Sequence, residues 1–281
     1  VKIIEDDDHF KAVAIKIRSD LSDTLLQEVI ENSKYKKTNI IQKNKVIDFK
    51  ISVYDFLSDE TKEEIVNFAL SDKNLVTATK YLKVLPIIKK IGVYINFPFK
   101  DKPRGSQLWH KDDFGYKSLD IFLAVSDINF DNGPLYFDKT INELGVFFKL
   151  KNVIKKALPG ERNKVSLDVF SKYFNEDTIG NLIGKSGTGL FIDSFTKYHR
   201  GGFCKSKKRI MLRVSYQTPD SSRGNYDYDN KNFFYLKKIK KTDTKNIFFR
   251  HVLFGKRNFF LKIINIDKII LFLIKLFHYK K

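Results

Sequence analysis

Five short apolar runs between residues 91 and 218 constrain the fold more than any other feature of the chain. Each is rich in Val, Ile, Phe and Tyr, and residues that favour turns separate them; the runs are IGVYINFPF, LDIFLAVSDI, GPLYF, TGLFIDSF and RIMLRVSYQT. Short runs of this composition, divided by Gly, Pro, Asn and Asp, predict the strands of a sandwich or barrel. The chain is therefore expected to be mainly β.

Residue composition and hydrophobic patterning divide the chain into three parts. Residues 1–85 have mixed, partly helical patterning and are expected to pack on the core. Residues 86–218 carry the strand-like runs, and Lys-rich, partly helical material at about 138–186 interrupts them as an insertion. Residues 219–281 form a basic, aromatic extension that we expect to be helical.

Two segments of the N-terminal part have helical spacing. One is SDTLLQEVIENSKY, which has a capping Ser or Asp before its apolar positions. The other is LSDETKEEIVNFALSD, in which Ser58 can cap the helix and Ile65, Phe68 and Ala69 form an apolar stripe.

Composition excludes some kinds of site. The 281 residues include a single cysteine, Cys204, so an intramolecular disulfide and a Cys-rich zinc or iron–sulfur site are both excluded. One cysteine fits a reducing compartment. The first twenty residues contain no uninterrupted apolar run typical of a signal peptide. No charge-free apolar stretch reaches the about 18 residues that a membrane-spanning helix needs. A cytoplasmic location is the expectation.

The positive charge is large and uneven. The formal net charge is +19, and residues 231–281 hold 14 Lys and Arg against two Asp. This asymmetry favours an anionic partner, although a Lys-rich composition without functional meaning would look the same. As a helix, the tail would have a broad apolar face with Lys at its borders. That pattern fits peripheral contact with the inner face of a membrane, and it equally fits a helix packed on the barrel.

A histidine and an aspartate two residues apart mark the candidate site. In a strand, His110 and Asp112 would point to the same face and could offer one ion an imidazole nitrogen and a carboxylate oxygen. A third ligand would have to come from a distant strand, and His199 follows a predicted strand and precedes two glycines. The three together would form the two-His, one-carboxylate face that suits non-haem Fe(II). A plain hydrogen-bonded His110–Asp112 pair is the alternative.

Two arginines follow His199 in the last predicted strand. An iron site that uses 2-oxoglutarate needs a fixed cation for the distal carboxylate, and Arg209, ten residues after His199, can supply a planar guanidinium. Arg213 lies four residues further on and faces the same way. Because its neighbours are apolar, an idle, solvent-facing Arg213 is the weaker interpretation.

The order of these motifs resembles the phytanoyl-CoA dioxygenase family of Fe(II)- and 2-oxoglutarate-dependent oxygenases. The resemblance covers about residues 86–218. The matching elements are Trp109, His110, Asp112, Ser126-Asp127, Asn132-Gly133-Pro134-Leu135, His199-Arg200-Gly201-Gly202 and Arg209. The family usually follows the Asn-Gly-Pro-Leu element with a Pro-Gly-Ser-His turn, whereas this chain continues YFDKTINE. That loop, and with it the lid over the substrate, therefore differs.

The resemblance implies a double-stranded β-helix, the jelly-roll core of cupin-like proteins. It implies that His110, Asp112 and His199 bind Fe(II) and that Arg209 binds 2-oxoglutarate, with O₂ as the oxidant and hydroxylation as the usual outcome. Gln107, which we place in the same strand as His110, is expected to contact the co-substrate. Arg213 is expected to support the co-substrate or meet an anionic substrate.

A Gly-rich segment is a decoy. IGNLIGKSGTG at residues 179–189 resembles a phosphate-binding loop, but Gly180 and Gly184 are separated by three residues where that loop needs four. The residues that follow are strand-like, so Gly187 and Gly189 are expected to make a tight turn into the strand that leads to His199.

The substrate class follows only from charge. An anionic small molecule or a lipid-linked sugar is the expected substrate, because the chain is strongly basic. A nucleic-acid-modifying oxygenase with the same iron site is an alternative, although no aromatic–basic recognition motif stands out. A non-catalytic jelly-roll binding module is another, and the intact set of His110, Asp112, His199 and Arg209 argues against it.

Overall fold

The structure is a computed structural model. It describes residues 1–22, 25–27, 49–98, 102–103, 105–112, 117–139, 164–165, 167–171 and 176–218. The basic tail, most of the predicted insertion and most of SDTLLQEVIENSKY lie outside these residues, so what the sequence indicates for them stays a prediction.

Eleven strands form two antiparallel sheets within the described residues. They are β1 (Lys2–Ile4), β2 (Lys50–Ser52), β3 (Ile87–Asn96), β4 (Trp109–His110), β5 (Ser118–Ala124), β6 (Leu135–Asp138), β7 (Lys164–Val165), β8 (Ile179–Leu182), β9 (Gly189–Ile192), β10 (His199–Gly201) and β11 (Arg209–Gln217). The first sheet has the order β1-β9-β5-β11-β3-β2, and the second has the order β7-β4-β10-β6-β8.

Eight of the strands have the connectivity of a jelly roll. Between β3 and β6, and again between β8 and β11, each successive strand lies in the sheet opposite to the one before it. β6 and β8, which link these two series, are paired neighbours in the second sheet. The two four-stranded halves face each other as a double-stranded β-helix. The prediction of a mainly β, cupin-like core with flanking helices is therefore confirmed.

Most of the described helices pack against the outer face of the first sheet, whereas the short helix Leu167–Ser171 packs beside Trp109 of the second sheet. The described helices are α1 (Asp8–Asp20), α2 (Asp59–Leu70), α3 (Asp72–Leu82) and α4 (Leu167–Ser171), with one-turn 3-10 helices at Tyr54–Phe56, Gly105–Gln107 and Glu176–Thr178. The predicted start of α2 is confirmed, because the Ser58 hydroxyl accepts a hydrogen bond from the Thr61 N–H at 3.2 Å. The predicted apolar stripe of α2 is buried in the core.

The N-terminal segment also contributes strands, which its helical patterning did not reveal. β1 pairs with β9 at one edge of the first sheet, and β2 pairs with β3 at the other edge. Each of these strands has three residues. A strand of that length is too short to show an alternating pattern, and its position is set by the sheet edge that it joins.

Strand β11 is buried on both faces, and the two faces do different things. Ile210, Leu212 and Val214 pack with the helices in the main core. Alternate residues point the other way, between the sheets, so Arg209, Met211 and Arg213 line a cavity there. The apolar alternation that holds the helices on the sheet thus also turns two arginines inward.

The predicted tight turn before β9 is confirmed at Gly187, whereas Gly189 is the first residue of β9 itself. Gly187 has a φ of 97°, and a Cβ at this position would lie 3.0 Å from the Cα of Lys11. Only glycine fits such a turn without strain. The segment continues into strand β9, where a phosphate-binding loop would lead into a helix.

Within the described residues, none of the helices has the length and apolar character needed to span a membrane.

Candidate metal and co-substrate site

The register of the second sheet brings the two histidines together. β10 lies between β4 and β6, and His199 pairs directly with His110 across the β10–β4 ladder. Their ring centroids are 4.4 Å apart. Residues that are 89 positions apart in the sequence are thus fixed as cross-strand neighbours by backbone hydrogen bonds.

Asp112 completes a group of three possible ligands. Its backbone N–H donates to the carbonyl oxygen of Ser194 at 2.8 Å, which holds the residue beside the two histidines. Oδ1 lies 3.7 Å from Nε2 of His110, and Oδ2 lies 3.9 Å from Nε2 of His199. These separations exceed a hydrogen bond, and the ligand atoms all lie within 4.8 Å of one another. The three side chains could therefore hold one metal ion between them.

Backbone carbonyls fix the tautomer of both imidazoles. Nδ1 of His110 lies 2.8 Å from the carbonyl oxygen of Leu108, and Nδ1 of His199 lies 3.1 Å from that of Lys197. A carbonyl oxygen only accepts, so each Nδ1 carries a proton, and in the neutral ring it is Nε2 that presents the lone pair. Burial lowers the pKa of His110 to about 3, which keeps its ring neutral, as a metal ligand must be.

Arg213 links the candidate ligand Asp112 to the first sheet. Its Nη2 donates to Oδ2 of Asp112 and, at 2.6 Å, to Oδ2 of Asp120 on β5. Burial alone would raise the pKa of Asp112, but the Arg213 guanidinium holds it well below its usual range. The carboxylate therefore stays ionised, and Oδ1 is directed away from Arg213 towards His110. Arg213 thus holds the candidate ligand Asp112; it also lines the cavity, and its predicted contact with co-substrate or substrate stays a prediction.

Removal of Arg213 should destabilise the whole fold. In Arg213→Met, two buried carboxylates lose their shared cation, and breaking a buried ion pair in this way costs about 3–5 kcal/mol. We expect the free energy of unfolding, measured by urea denaturation, to fall by that order. The control is Lys185→Met, which removes an ion pair with Asp127 whose side chains are 91% and 54% exposed; its loss should stay below about 1 kcal/mol. Equal losses in the two variants would contradict the account of Arg213.

Arg209 is a buried cation that faces the cavity. Only 3% of the residue is exposed, and its Nε and Nη1 make no hydrogen bond with any residue that the structure describes. Burial lowers the pKa of Arg209, yet a guanidinium remains charged inside proteins. A Cβ at Gly201 would lie 3.2 Å from Nη2 of Arg209, so the glycine leaves room beside the guanidinium. A buried charge of this kind calls for an anionic ligand.

The cavity joins the two candidate sites. Its lining includes both histidines, Arg209 and Arg213, together with Lys50, Tyr94, Asn96, Ser106, Phe122, Leu135, Gly201 and Met211. The structure corrects the placement of Gln107, which lies in the one-turn helix Gly105–Gln107 before β4 and not in the strand of His110. Gln107 is buried, and Ser106, not Gln107, is among the residues that line the cavity.

Several residues of the site escaped the sequence analysis. Asp120 had a usable signal, because an acid in the middle of the apolar run LDIFLA must have a buried partner. Lys50 had none, because it reaches the cavity only through the pairing of β2 with β3, and Tyr94 reaches it because it lies opposite Met211 across the β3–β11 ladder.

Comparison with solved structures gives likenesses at low sequence identity, while the comparisons of sequence find none. No family model matches the chain. No curated protein matches it either. The chain is similar to the crystal structure of the epimerase SnoN in complex with Fe3+, alpha ketoglutarate and nogalamycin RO, with 11% identity, 75% of this chain and 84% of SnoN covered, and a TM-score of 0.40.

Two further solved structures come from Streptomyces. AviO1 from Streptomyces viridochromogenes Tue57 has 9% identity, with 71% of this chain and 87% of AviO1 covered and a TM-score of 0.39. HygX from Streptomyces hygroscopicus, with nickel and 2-oxoglutarate bound, has 11% identity, with 66% of this chain and 78% of HygX covered and a TM-score of 0.41. All three scores lie below 0.5, so the function proposed for this chain rests on its own residues.

Proposed function

We propose that the chain is an Fe(II)- and 2-oxoglutarate-dependent oxygenase that hydroxylates an anionic small molecule. One observation carries the proposal. Two imidazoles and one ionised carboxylate converge within 4.8 Å, and both histidines line a cavity with the buried Arg209, whose Nε and Nη1 make no hydrogen bond among the described residues.

The donor set fits a divalent metal with open coordination positions. His110 and His199 would each supply Nε2 and Asp112 would supply Oδ1, which is the two-His, one-carboxylate set of non-haem Fe(II) enzymes. Zn²⁺ accepts the same donors. Arg209 favours the iron enzyme, because a buried cation in the same cavity suits a co-ligand with a second negative end.

The cavity also fits 2-oxoglutarate as the second component. The guanidinium of Arg209, whose Nε and Nη1 have no hydrogen-bond partner among the described residues, would take the distal carboxylate. Phe122, Leu135 and Met211 give the same cavity an apolar wall for the methylene groups. Asn96 and Ser106 add polar atoms to the lining. The unsatisfied donors of Arg209 are the feature that such a dicarboxylate would satisfy.

The cofactor would supply the oxidising chemistry, and the residues of the chain would bind and orient it. When bound, Fe(II) and 2-oxoglutarate together with O₂ supply the oxidising power needed to attack an unactivated C–H bond. The Leu108 and Lys197 carbonyls keep both Nε2 atoms free, and Arg213 keeps Asp112 ionised and oriented.

The finer description of the substrate rests on charge. The cavity is lined by three cationic side chains, and the whole chain has a net charge of +19. These features support an anionic substrate, of which a lipid-linked sugar is one case if the basic tail lies on a membrane surface. The alternatives of a nucleic-acid oxygenase and a non-catalytic binding module stay open to the same experiment.

The test is release of succinate from 2-oxoglutarate by the Fe(II)-loaded full chain in air. We expect slow release without substrate, acceleration by members of a panel of phosphorylated and carboxylated metabolites, and loss of both rates in His110→Ala. Lys185→Met, at an exposed site remote from the cavity lining, should behave as the unmodified chain. A protein that binds metal but neither binds nor consumes 2-oxoglutarate would contradict the proposal.

A further inference from the structure

The cavity contains one cation that the metal and co-substrate do not require. Of its three cationic residues, Arg213 is engaged by Asp112 and Asp120. Arg209 is the residue that the proposed function assigns to the distal carboxylate. Lys50 makes no ion pair with any carboxylate in the described part of the chain, although it shares the same lining.

Lys50 sits on an aromatic platform at one side of the cavity. It belongs to β2 and pairs with Asn96 of β3, so its side chain extends beside that of Tyr94. Its Nζ lies 4.0 Å from the centroid of the Tyr94 ring. The exposed Lys90 places its own Nζ 5.3 Å from the same centroid. A line of positive charge thus runs from solvent over Tyr94 to the half-buried Lys50.

The electrostatic surroundings of Lys50 leave it short of negative charge. Burial and the positive charges of Lys90, Arg213 and Arg209 lower the pKa of Lys50 to about 7, while Asp112 opposes them. If Fe(II) and the 2-oxoglutarate dianion both bind, their charges cancel. The positive charges of the two arginines then balance the negative charges of Asp112 and Asp120. The positive charge of Lys50 has no counterpart in this count.

We propose that Lys50 binds an oxyanionic group of the primary substrate, a carboxylate or a phosphate, above the Tyr94 ring. This inference rests on the proposed function, since it assigns the co-substrate to Arg209 and leaves Lys50 to the substrate. An ammonium that gains an oxyanion recovers in charge-assisted hydrogen bonds what it lost on burial. Binding at this point would fix one end of the substrate in the same cavity as His110 and His199.

The experiment measures protection of Lys50 from acylation in the full chain. The protein is loaded with redox-inert Zn²⁺ and saturated with 2-oxoglutarate, treated briefly with acetic anhydride, and analysed by peptide mass spectrometry with and without inorganic phosphate or acetate. At an anion concentration about ten times its Kd, Lys50 should be acylated about tenfold more slowly, because only the unbound fraction reacts. Lys185, an exposed lysine outside the cavity lining, should be acylated at the same rate throughout.

The outcomes separate the two assignments. Protection of Lys50 by phosphate, by acetate or by both supports the inference and identifies the preferred group, whereas protection by neither overturns it. Complete protection by Zn²⁺ and 2-oxoglutarate alone also overturns it, because Lys50 would then belong to the co-substrate. In Lys50→Met, the affinity for 2-oxoglutarate measured by equilibrium dialysis should fall far less than in Arg209→Met, and an equal loss in the two variants would again overturn it. Failure of 2-oxoglutarate to bind the unmodified Zn²⁺ protein would instead reject the proposed function.

Discussion

In Asp112→Ala, we expect the affinity for Fe(II) to fall by about 100-fold or more, since loss of an outer partner of a ligand already costs about 10–100-fold. Asp112 is the one anion among the three candidate ligands. Its removal also leaves the Arg213 guanidinium beside the site with Asp120 as its remaining carboxylate partner among the described residues. A dication would then meet a net positive surface in place of a carboxylate.

The tryptophan next to His110 provides the measurement. Trp109 is the single tryptophan of the chain; it is buried and stacks on Phe170 with ring centroids 3.9 Å apart. Anaerobic addition of Fe(II) should quench its fluorescence in the unmodified chain and leave it nearly unchanged in Asp112→Ala.

Two controls separate ligation from folding. Asp112→Asn keeps the shape of the side chain and removes its charge, so it should lose Fe(II) affinity as Asp112→Ala does. Asp127→Ala removes an exposed carboxylate that pairs with Lys185, and it should bind Fe(II) normally. Normal quenching in a folded Asp112→Asn protein would mean that this carboxylate is not a ligand.

Replacement of Arg209 should separate the co-substrate from the metal. Truncation of one partner of a buried charge pair costs about 2–5 kcal/mol, which corresponds to a loss in affinity of roughly 30-fold to several thousand-fold. We therefore expect the Kd of 2-oxoglutarate to rise by that order in Arg209→Met, measured by equilibrium dialysis of the Zn²⁺ protein. Quenching of Trp109 by Fe(II) should be unchanged.

Stability provides a second measurement on the same variant. Because Nε and Nη1 of Arg209 have no hydrogen-bond partner in the described structure, the ligand-free protein bears the cost of an unsatisfied buried cation. Ligand-free Arg209→Met should therefore be as stable as the unmodified chain, or more stable, in contrast to the loss expected for Arg213→Met. A large loss of stability with normal 2-oxoglutarate binding would make Arg209 a structural residue and contradict its assignment.

The elements that carry the site were predictable because their signals are local. Strand β11 reads as an apolar run interrupted by two arginines, and both arginines point into the cavity. His110 and Asp112 lie two residues apart, and His199 follows the strand-like run that ends near Ser194. Alternation along β11 decides that its two arginines share a face, whereas Asp112 lies beyond the end of β4 and is held beside the histidines by its hydrogen bond to Ser194.

The remaining features depend on pairings between distant strands. Lys50 reaches the cavity because β2 joins the edge of β3, and no local pattern in residues 50–52 encodes that contact. Arg213 forms ion pairs, unlike Arg209, partly because Asp120 is close to it. Asp120 faces Ser215 across the β5–β11 ladder and thereby comes within hydrogen-bond distance of Arg213. Gln107 was misplaced because a single helical turn before β4 interrupts the extended chain.

The most direct measurement is an anaerobic titration of the full chain with Fe(II) and 2-oxoglutarate, followed in the visible spectrum. Two imidazoles and one carboxylate around a ferrous ion leave positions at which 2-oxoglutarate can chelate through its keto-acid end. We predict a metal-to-ligand charge-transfer band that saturates at one Fe(II) per chain and is absent in Asp112→Ala. A chain that binds Fe(II) without developing this band, or that develops it equally in Asp112→Ala, would contradict the account.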